Sequence, residues 1–534
     1  MSKEHDAIIV GLGLNGSWAA KELTESGLNV LAIDQGYLLE KSYFKNLPIA
    51  SDSPTMKDKF FSLKSKIFLN EKQHKNALLF RRWKKLWQKF YIDPFISKIE
   101  NFEWYRSNAI GGRGHVWGRV SPRFTNRELE AKWLKKVDYK WPLKEEEINK
   151  IYKEIEKILI LGGQKNNNGF NNSANYLRKR SLNIIEEEIK NKLVKHSYLN
   201  NFNVSPILEY EPGPFSPMLE SAVKTKKLKI INNTIVKNLE FSKDNFVNGV
   251  KIINKKNFKE HTLNAKIIIL AASPLQSVRI LRNSISEFFP RGVGNSSNLL
   301  GKYIFDHVHC FRDIKFNFRK KNSIKYQNEI FNPFKPNTDS HGFFILPPKK
   351  KYVKKNLNGK FSIQGYISIN QKKFHLDSFG EMFPRKENRI EFDFNNKNKF
   401  GLPKPVIYFK YNDNEKLMWN LQNEHINKLV NIFYKLPYVK KKSDFNKILT
   451  HKEKKPLAGS SSHEMGGARM GTTNKNSVVN KDGRLWDSPN VIICDASIFP
   501  SAGYQNITLT SMALAVKNSR NIIKIKKNGK LTII

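Results

Sequence analysis

At 534 residues the chain is too long for one compact core and suits two intimately joined domains, and its apolar content of 39%, with 12% aromatic, is enough to fill them. The 93 Lys+Arg against 48 Asp+Glu leave a formal net charge of +45, but the excess is spread along the chain among Asn and Ile, as in residues 164–172 and 394–401. No motif with the aromatic interleaving of nucleic-acid folds accompanies it, so nucleic acid is set aside; solvated surface, an acidic electron-transfer partner or an anionic membrane face accounts for the charge.

In chain order, residues 6–11 (DAIIVG) read as a short apolar strand. It begins within a few residues of Met1, which leaves no room for a secretory signal and predicts a cytoplasmic protein, or one exported on a partner's signal. Residues 15–26 have helical spacing around Trp18, Ala19 and Leu23, and residues 28–33 read as a second buried strand ending at Asp34. Together they make one βαβ unit of a parallel sheet. From about Tyr37 to Asn101 the pattern is irregular, basic and aromatic, an extended excursion across the first domain. Residues 141–159 predict a helix with acids in its first turn and Ile148, Ile151, Ile155 and Ile158 on one face. Residues 228–252 alternate like two strands joined by a turn, and residues 266–272 form another buried strand before a helix through Val278–Leu281.

Residues 311–450 carry alternating aromatic stretches (341–347, 361–369 and 389–396) that read as antiparallel strands of the second domain. The densest basic run, residues 347–355, reads as an exposed loop. The chain returns to α/β character with a strand over 491–495 and a helix over 508–523. The apolar run at 491–499 is far short of a membrane span, and the protein is expected not to be an integral membrane one. Cys494 in that run reads as a buried thiol; with Cys310 it makes only two cysteines, which can build neither a metal cluster nor a disulfide framework.

Gly11-Leu12-Gly13-Leu14-Asn15-Gly16 lies between the first strand and the first helix, and Asp34 closes the next strand. In such a turn the first glycine makes the bend, the second lets the backbone approach a pyrophosphate, and the third lets the helix pack on the sheet. The helix N-terminus stabilises phosphate charge, and a carboxylate at Asp34 would accept hydrogen bonds from a ribose. The motif serves FAD and NAD alike.

Near the other end come His463-Glu464-Met465-Gly466-Gly467-Ala468-Arg469-Met470-Gly471, then Cys494-Asp495-Ala496-Ser497, then Gln505-Asn506-Ile507-Thr508. These segments resemble the C-terminal signature of the glucose–methanol–choline (GMC) oxidoreductases. Ile110-Gly111-Gly112-Arg113 through Trp117-Gly118-Arg119 is similar to that family's flavin-contacting segment. Leu270-Ala271-Ala272-Ser273, with Ser277 and Arg279, resembles its third cofactor segment, and Gly301 through Asp306-His307 resembles its GxxxxDH turn. Within the family the likeness is greatest to bacterial sugar and glycoside dehydrogenases, a branch with pyranoside 3-dehydrogenases and relatives of gluconate and fructose dehydrogenase large subunits.

The resemblance implies an α/β fold: a Rossmann-like FAD-binding domain with a second, antiparallel-sheet substrate domain. The FAD domain would be discontinuous, from 1–135, 225–310 and 452–534, and the substrate domain would combine 136–224 with 311–451. The resemblance puts Gly11, Gly13, Gly16, Asp34, Gly111, Gly112, Val236, Ala272, Asp495, Ala496, Asn506 and Thr508 around a FAD. It makes His463 the general base for oxidation of a CH–OH group, suitably because imidazole titrates near working pH. Asn506, at the family's second catalytic position, would hydrogen-bond the substrate oxygen.

His115 falls one residue before the slot where some relatives bind flavin covalently, and Val116 occupies that slot, so non-covalent FAD is expected. His307 and His309 share a strand face, but with no further ligands in view a packing or turn role is favoured over a metal. Arg469 could reach a phosphate or a substrate oxygen, or pair with a carboxylate. The branch implies a sugar or alcohol as substrate, with a small subunit and a cytochrome or quinone acceptor as partners. An oxidase releasing hydrogen peroxide, or more distantly an NAD(P)-dependent dehydrogenase or a binding protein without turnover, stays open at this point.

Overall fold

The structure is a computed structural model that describes residues 5–41, 95–134 apart from 101, 105 and 116, 139–194 apart from 166–170 and 172, 201–318 apart from 212, 342–347, 357–368, 372–441 apart from 438, and 456–529. Most of the excursion at 37–101 and nearly all of the basic run at 347–355 lie outside the described residues.

The first sheet is built on the strand His5–Val10, which runs parallel to Val30–Ile33 on one side and to Glu260–Leu270 on the other. Ala7, Ile8 and Ile9 are fully buried, as a central parallel strand covered on both faces requires. Leu228–Ile231 extends the sheet beyond Val30–Ile33, and Val491–Ile493 pairs in parallel with the far end of Glu260–Leu270. The strand–helix–strand start of the chain is as the pattern predicts, with Leu14–Glu25 as the helix.

The stretch 228–252 differs from expectation, because it holds three strands. The chain breaks at Asn232 and Asn233, with Asn233 at φ 50°, a left-handed conformation that asparagine tolerates. Leu228–Ile231 stays in the parallel sheet, while Thr234–Phe241 pairs antiparallel with Val247–Asn254. The strand predicted at 266–272 starts earlier, at Glu260. Its exposed first half pairs antiparallel with Val247–Asn254 and its buried second half joins the parallel sheet, so the apolar run marks only the second half.

The helix Glu145–Ile158 buries Ile148, Ile151, Tyr152 and Ile155, but Ile158 is 37% exposed. The helix ends there, and Leu159, wholly buried just past it, takes the inward place. Tyr152 fixes this helix to the last one, Thr508–Lys527, through a 2.8 Å hydrogen bond between its hydroxyl and that of Thr510.

The second sheet has six strands in the order Val439–Lys441, Val308–Phe318, Lys373–Gly380, Phe361–Ser368, Phe343–Ile345 and Phe202–Val204, every neighbouring pair antiparallel. One face packs on the helix Asp413–Tyr434: Phe316 and Phe374 lie 5.0 and 4.8 Å from the ring of Phe433. Side chains directly opposite each other in a ladder share a face. Ser362, Phe379 and His309 therefore stand together on the other face, as do Gln364 and Asp377, then Tyr366, His375 and Asp313. That face is turned to the candidate site.

Candidate active site

The glycine turn is built by contacts that leave one opening. A Cβ on Gly11 would lie 2.5 Å from the Ala271 carbonyl oxygen, and one on Gly16 would lie 1.9 Å from that of Gly11. Gly11 and Gly16 are thus glycines for packing. Gly13 is different: a Cβ there meets nothing within 4 Å, and one on Gly112 would meet only the Cα of Gly13, at 3.4 Å. Open space therefore lies over Gly13 and Gly112, at the N-terminus of a 12-residue helix that has no side-chain cap.

Asp34 braces this turn. Its carboxylate accepts from the backbone N–H of Leu12 at 2.7 Å and of Gly36 at 2.6 Å, and burial raises its pKa. Two of its roughly four lone-pair directions remain for a ribose. The strand carrying Val236 starts beside it, since Thr234 N–H donates to the Asp34 carbonyl. Asn15 ties the turn to the far end of the chain, donating to the Cys494 carbonyl at 2.8 Å and to Ser511 Oγ at 2.6 Å. Asp495 accepts from Ser277 Oγ and from Ser497 N–H, so it caps the short turn that carries Ala496. Ala272 and Thr508 are half-buried at the ends of their segments.

Gly111 N–H donates to the Leu12 carbonyl at 2.8 Å, which docks the segment 110–115 on the glycine turn. His115 is a prop beneath it: a Cβ on Gly111, at φ 96°, would strike its ring at 2.3 Å. Burial lowers the His115 pKa, and the neutral ring donates Nε2–H to the Ile110 carbonyl at 2.6 Å. Val116 lies outside the described residues. Arg113 reaches across to the histidine loop, donating to the Ser462 carbonyl at 2.8 Å and to buried Glu464 at 2.7 Å.

His463 is half-buried, and its Nδ1 stands 2.9 Å from Nδ1 of His307. Nε2 of His307 is 2.9 Å from the Gly503 carbonyl oxygen. This chain fixes both tautomers. A carbonyl only accepts, so His307 carries its proton on Nε2. Burial pushes the His307 pKa down to about 4, so the ring is neutral and its Nδ1 accepts. His463 must then donate from Nδ1, which leaves the lone pair on Nε2. Burial first, then His307 and Arg113, hold the His463 pKa well below 6.5, with Asp377 opposing. His463 is a neutral imidazole whose Nε2 has no hydrogen-bond partner among the described residues, the form a general base requires.

The Asp306 carboxylate accepts from the Ser461 hydroxyl and from His463 N–H, and burial with the nearby Glu464 pushes its pKa up to about 6. The rings of His463 and His309 each lie 5.0 Å from that of Phe379. Asn506 is 8% exposed and its side-chain oxygen has no partner among the described residues. It stands in the loop after Gly503, whose carbonyl holds His307.

A family model described as GMC oxidoreductase matches residues 384–515, the part of the chain that carries His463 and Asn506. Over this part the chain is similar to the GMC oxidoreductases. It is 26% identical over 299 residues to a 2-methyl-1,2-propanediol dehydrogenase of Mycolicibacterium austroafricanum, covering 52% of this chain and 51% of that protein. It is 22% identical over 338 residues to a fructose dehydrogenase large subunit of Gluconobacter japonicus, covering 58% and 57%. The matches thus span about half the length of these relatives. The fold superimposes on a formate oxidase of Aspergillus oryzae RIB40 with a TM-score of 0.67 over 99% of both chains, at 13% identity.

The GMC fold explains both sheets, and the residues present fit its cofactor, FAD: the open cradle over Gly13 and Gly112, the uncapped helix N-terminus and the spare lone pairs of Asp34 suit a dinucleotide. Among the described residues no group of three or more His, Cys, Asp and Glu could hold a metal, and no helix is long and apolar enough to cross a membrane. Arg469 is buried with its guanidinium 4.7 Å from the ring of Tyr303 and 5.6 Å from that of Tyr139. His307, read from sequence as a packing or turn residue, is a direct partner of His463. The signal was its place in the GxxxxDH turn; what sequence lacked was the contact across 156 positions.

Proposed function

We propose that this GMC oxidoreductase oxidises a CH–OH group of a sugar or glycoside to a carbonyl, with His463 Nε2 taking the hydroxyl proton. The observation that carries the reading is the chain Gly503 carbonyl–His307–His463, which leaves a neutral imidazole with its lone pair on Nε2. As His463 takes the proton it becomes an imidazolium, and its Nδ1–H donates more strongly to His307. Asn506 orients the substrate oxygen and stabilises its charge as the proton leaves. Bound FAD supplies the hydride acceptor.

The sugar assignment is supported by relatives named for a fructose and for a diol as donors. The same names favour a dehydrogenase over an oxidase, and the resemblance to sugar dehydrogenases adds a cytochrome or quinone as acceptor, reached directly or through a small subunit. The test is an anaerobic visible spectrum of the purified holoprotein before and after glucose, a glucoside and a simple alcohol in turn. Bleaching by a sugar supports the reading, and slow recovery of colour in air identifies a dehydrogenase. Rapid recovery with peroxide would make it an oxidase. A His463→Ala variant that bleached as fast as the wild type would overturn the assigned base.

A further inference from the structure

The face of the second sheet that meets His463 does not stop there. Phe379 and His309, beside the catalytic imidazole, form the first row. The next row along the strands is Gln364 opposite Asp377, and the one after it is Tyr366 opposite His375, itself opposite Asp313. Rows two residues apart are spaced by about 7 Å, so the third lies roughly 13 Å from the first. Each step is comparable to one hexose unit.

Apart from Phe311, which stands opposite Asp377 in the second row, the second and third rows are polar and partly open. The side chains of Asp377, His375 and Asp313 keep 25%, 21% and 16% of their surface exposed, while the sheet's other face is closed by the helix Asp413–Tyr434. His375 is held between Asp313 at 2.6 Å and Asp377 at 2.8 Å, and His309 Nε2–H donates to Asp377 at 3.1 Å. Lys373 completes the set, 3.0 Å from Asp313. Two carboxylates facing an imidazolium and an ammonium leave a hydrogen-bonding surface with little net charge, unsuited to a phosphorylated ligand.

Gln364 points to what is missing. It is only 7% exposed, and its side-chain oxygen has no hydrogen-bond partner among the described residues. An amide oxygen left so is destabilising, and a ligand hydroxyl donating to it would relieve the cost. Asp377, across from it, has lone pairs left for a second hydroxyl.

We propose that this face is a second-sugar site, so that the substrate is a neutral oligosaccharide or glycoside whose oxidised ring stands at His463 and whose adjoining unit lies on Gln364 and Asp377, with Tyr366 at the far end. The proposal rests on the sugar-oxidising reading above. Its test is the anaerobic flavin-reduction rate with glucose, methyl glucoside, cellobiose and maltose, for the wild-type holoprotein, Gln364→Leu and Tyr366→Ala. At least one disaccharide should exceed glucose in kcat/KM by about tenfold, the worth of one good hydrogen bond. Gln364→Leu should lower that disaccharide's value at least about tenfold more than glucose's, through KM. Tyr366→Ala, a partly exposed position, should act in the same direction. Equal use of glucose and every disaccharide by the wild type, or equal losses in both variants, would overturn the second-sugar site and leave the sugar reading standing. Bleaching by a simple alcohol and by no sugar would overturn both.

Discussion

Replacing His307 by Phe tests the chain of tautomers directly. Phe keeps a ring of similar size in a site that is wholly buried, but it offers no acceptor to His463 Nδ1–H and nothing to the Gly503 carbonyl. In the transition state the lost acceptor serves an imidazolium, and a hydrogen bond to a charged group is worth about 1.5–3 kcal/mol. That range converts to a roughly ten- to hundredfold slower proton abstraction. Free of its partner, His463 also spends part of its time as the tautomer with Nε2 protonated, which cannot act as base. The assay is single-turnover flavin reduction under anaerobic, saturating sugar, with flavin content and melting temperature recorded for each variant. His307→Asn places an amide oxygen where Nδ1 accepted, so it should recover part of the rate. A His307→Phe protein with normal flavin content that is reduced within about twofold of wild type would refute the reasoning. So would an Asn variant no faster than Phe.

Because burial, His307 and Arg113 hold the His463 pKa well below 6.5, the base stays unprotonated as pH falls, and kcat/KM should be flat from pH 8 through 6.5 and drop only below it. Arg113, His307 and His309 face His463 and work in this direction while Asp377 opposes; a half-point at or above pH 6.5 would contradict the assignment. Two of the three glycines of the turn should separate folding from cofactor binding. Gly13→Ala meets no atom and has an ordinary φ of −67°, so the apoprotein should hold its stability or gain about 0.4–1 kcal/mol, while FAD affinity falls. Gly16→Ala drives a Cβ into the Gly11 carbonyl and should lower the melting temperature of apoprotein and holoprotein alike. Arg123→Ala breaks a paired contact of 2.6 Å at each end with Glu156, both buried, and should cost about 3–5 kcal/mol in chemical unfolding with the flavin spectrum of the remaining folded protein unchanged.

What the sequence disclosed followed the range of each interaction. The glycine turn is local, so spacing alone revealed Gly11, Gly13 and Gly16, though not that two of them serve packing and one the opening. His463 stood out as a candidate through the motif around it. Its partner was not, because the contact joins residues 307 and 463 through the meeting of two segments. Strand pairing was similarly hidden: the alternation over 228–252 is continuous through Asn232 and Asn233, and only the left-handed Asn233 shows that the chain changes neighbours. Ile158 kept the helical period but not its burial, since periodicity does not say where a helix stops. Gln364 carries no sequence signal; its isolation beside Asp377 is a product of cross-strand register.

The site is a seam between the two ends of the chain. On the proposed reading residues 463–506 supply the base, the carbonyl that orients its partner and the amide, and side chains from distant parts of the chain tie these segments down. Asn15 holds Cys494 and Ser511, Arg113 holds Ser462 and Glu464, and Trp141 Nε1–H donates to Ser501 Oγ at 3.0 Å. Arg520 in the last helix pairs with Glu22 in the first at 2.7 Å. The glycine turn near the start of the chain and the loop that carries His463 are therefore tied together by long-range contacts. Gly13 and Gly112, over which a dinucleotide would lie, are close in sequence to Asn15 and Arg113, which hold the segments around Cys494 and Ser462. Cofactor binding should thus order the base as well as supply the acceptor, because both rest on one set of long-range hydrogen bonds.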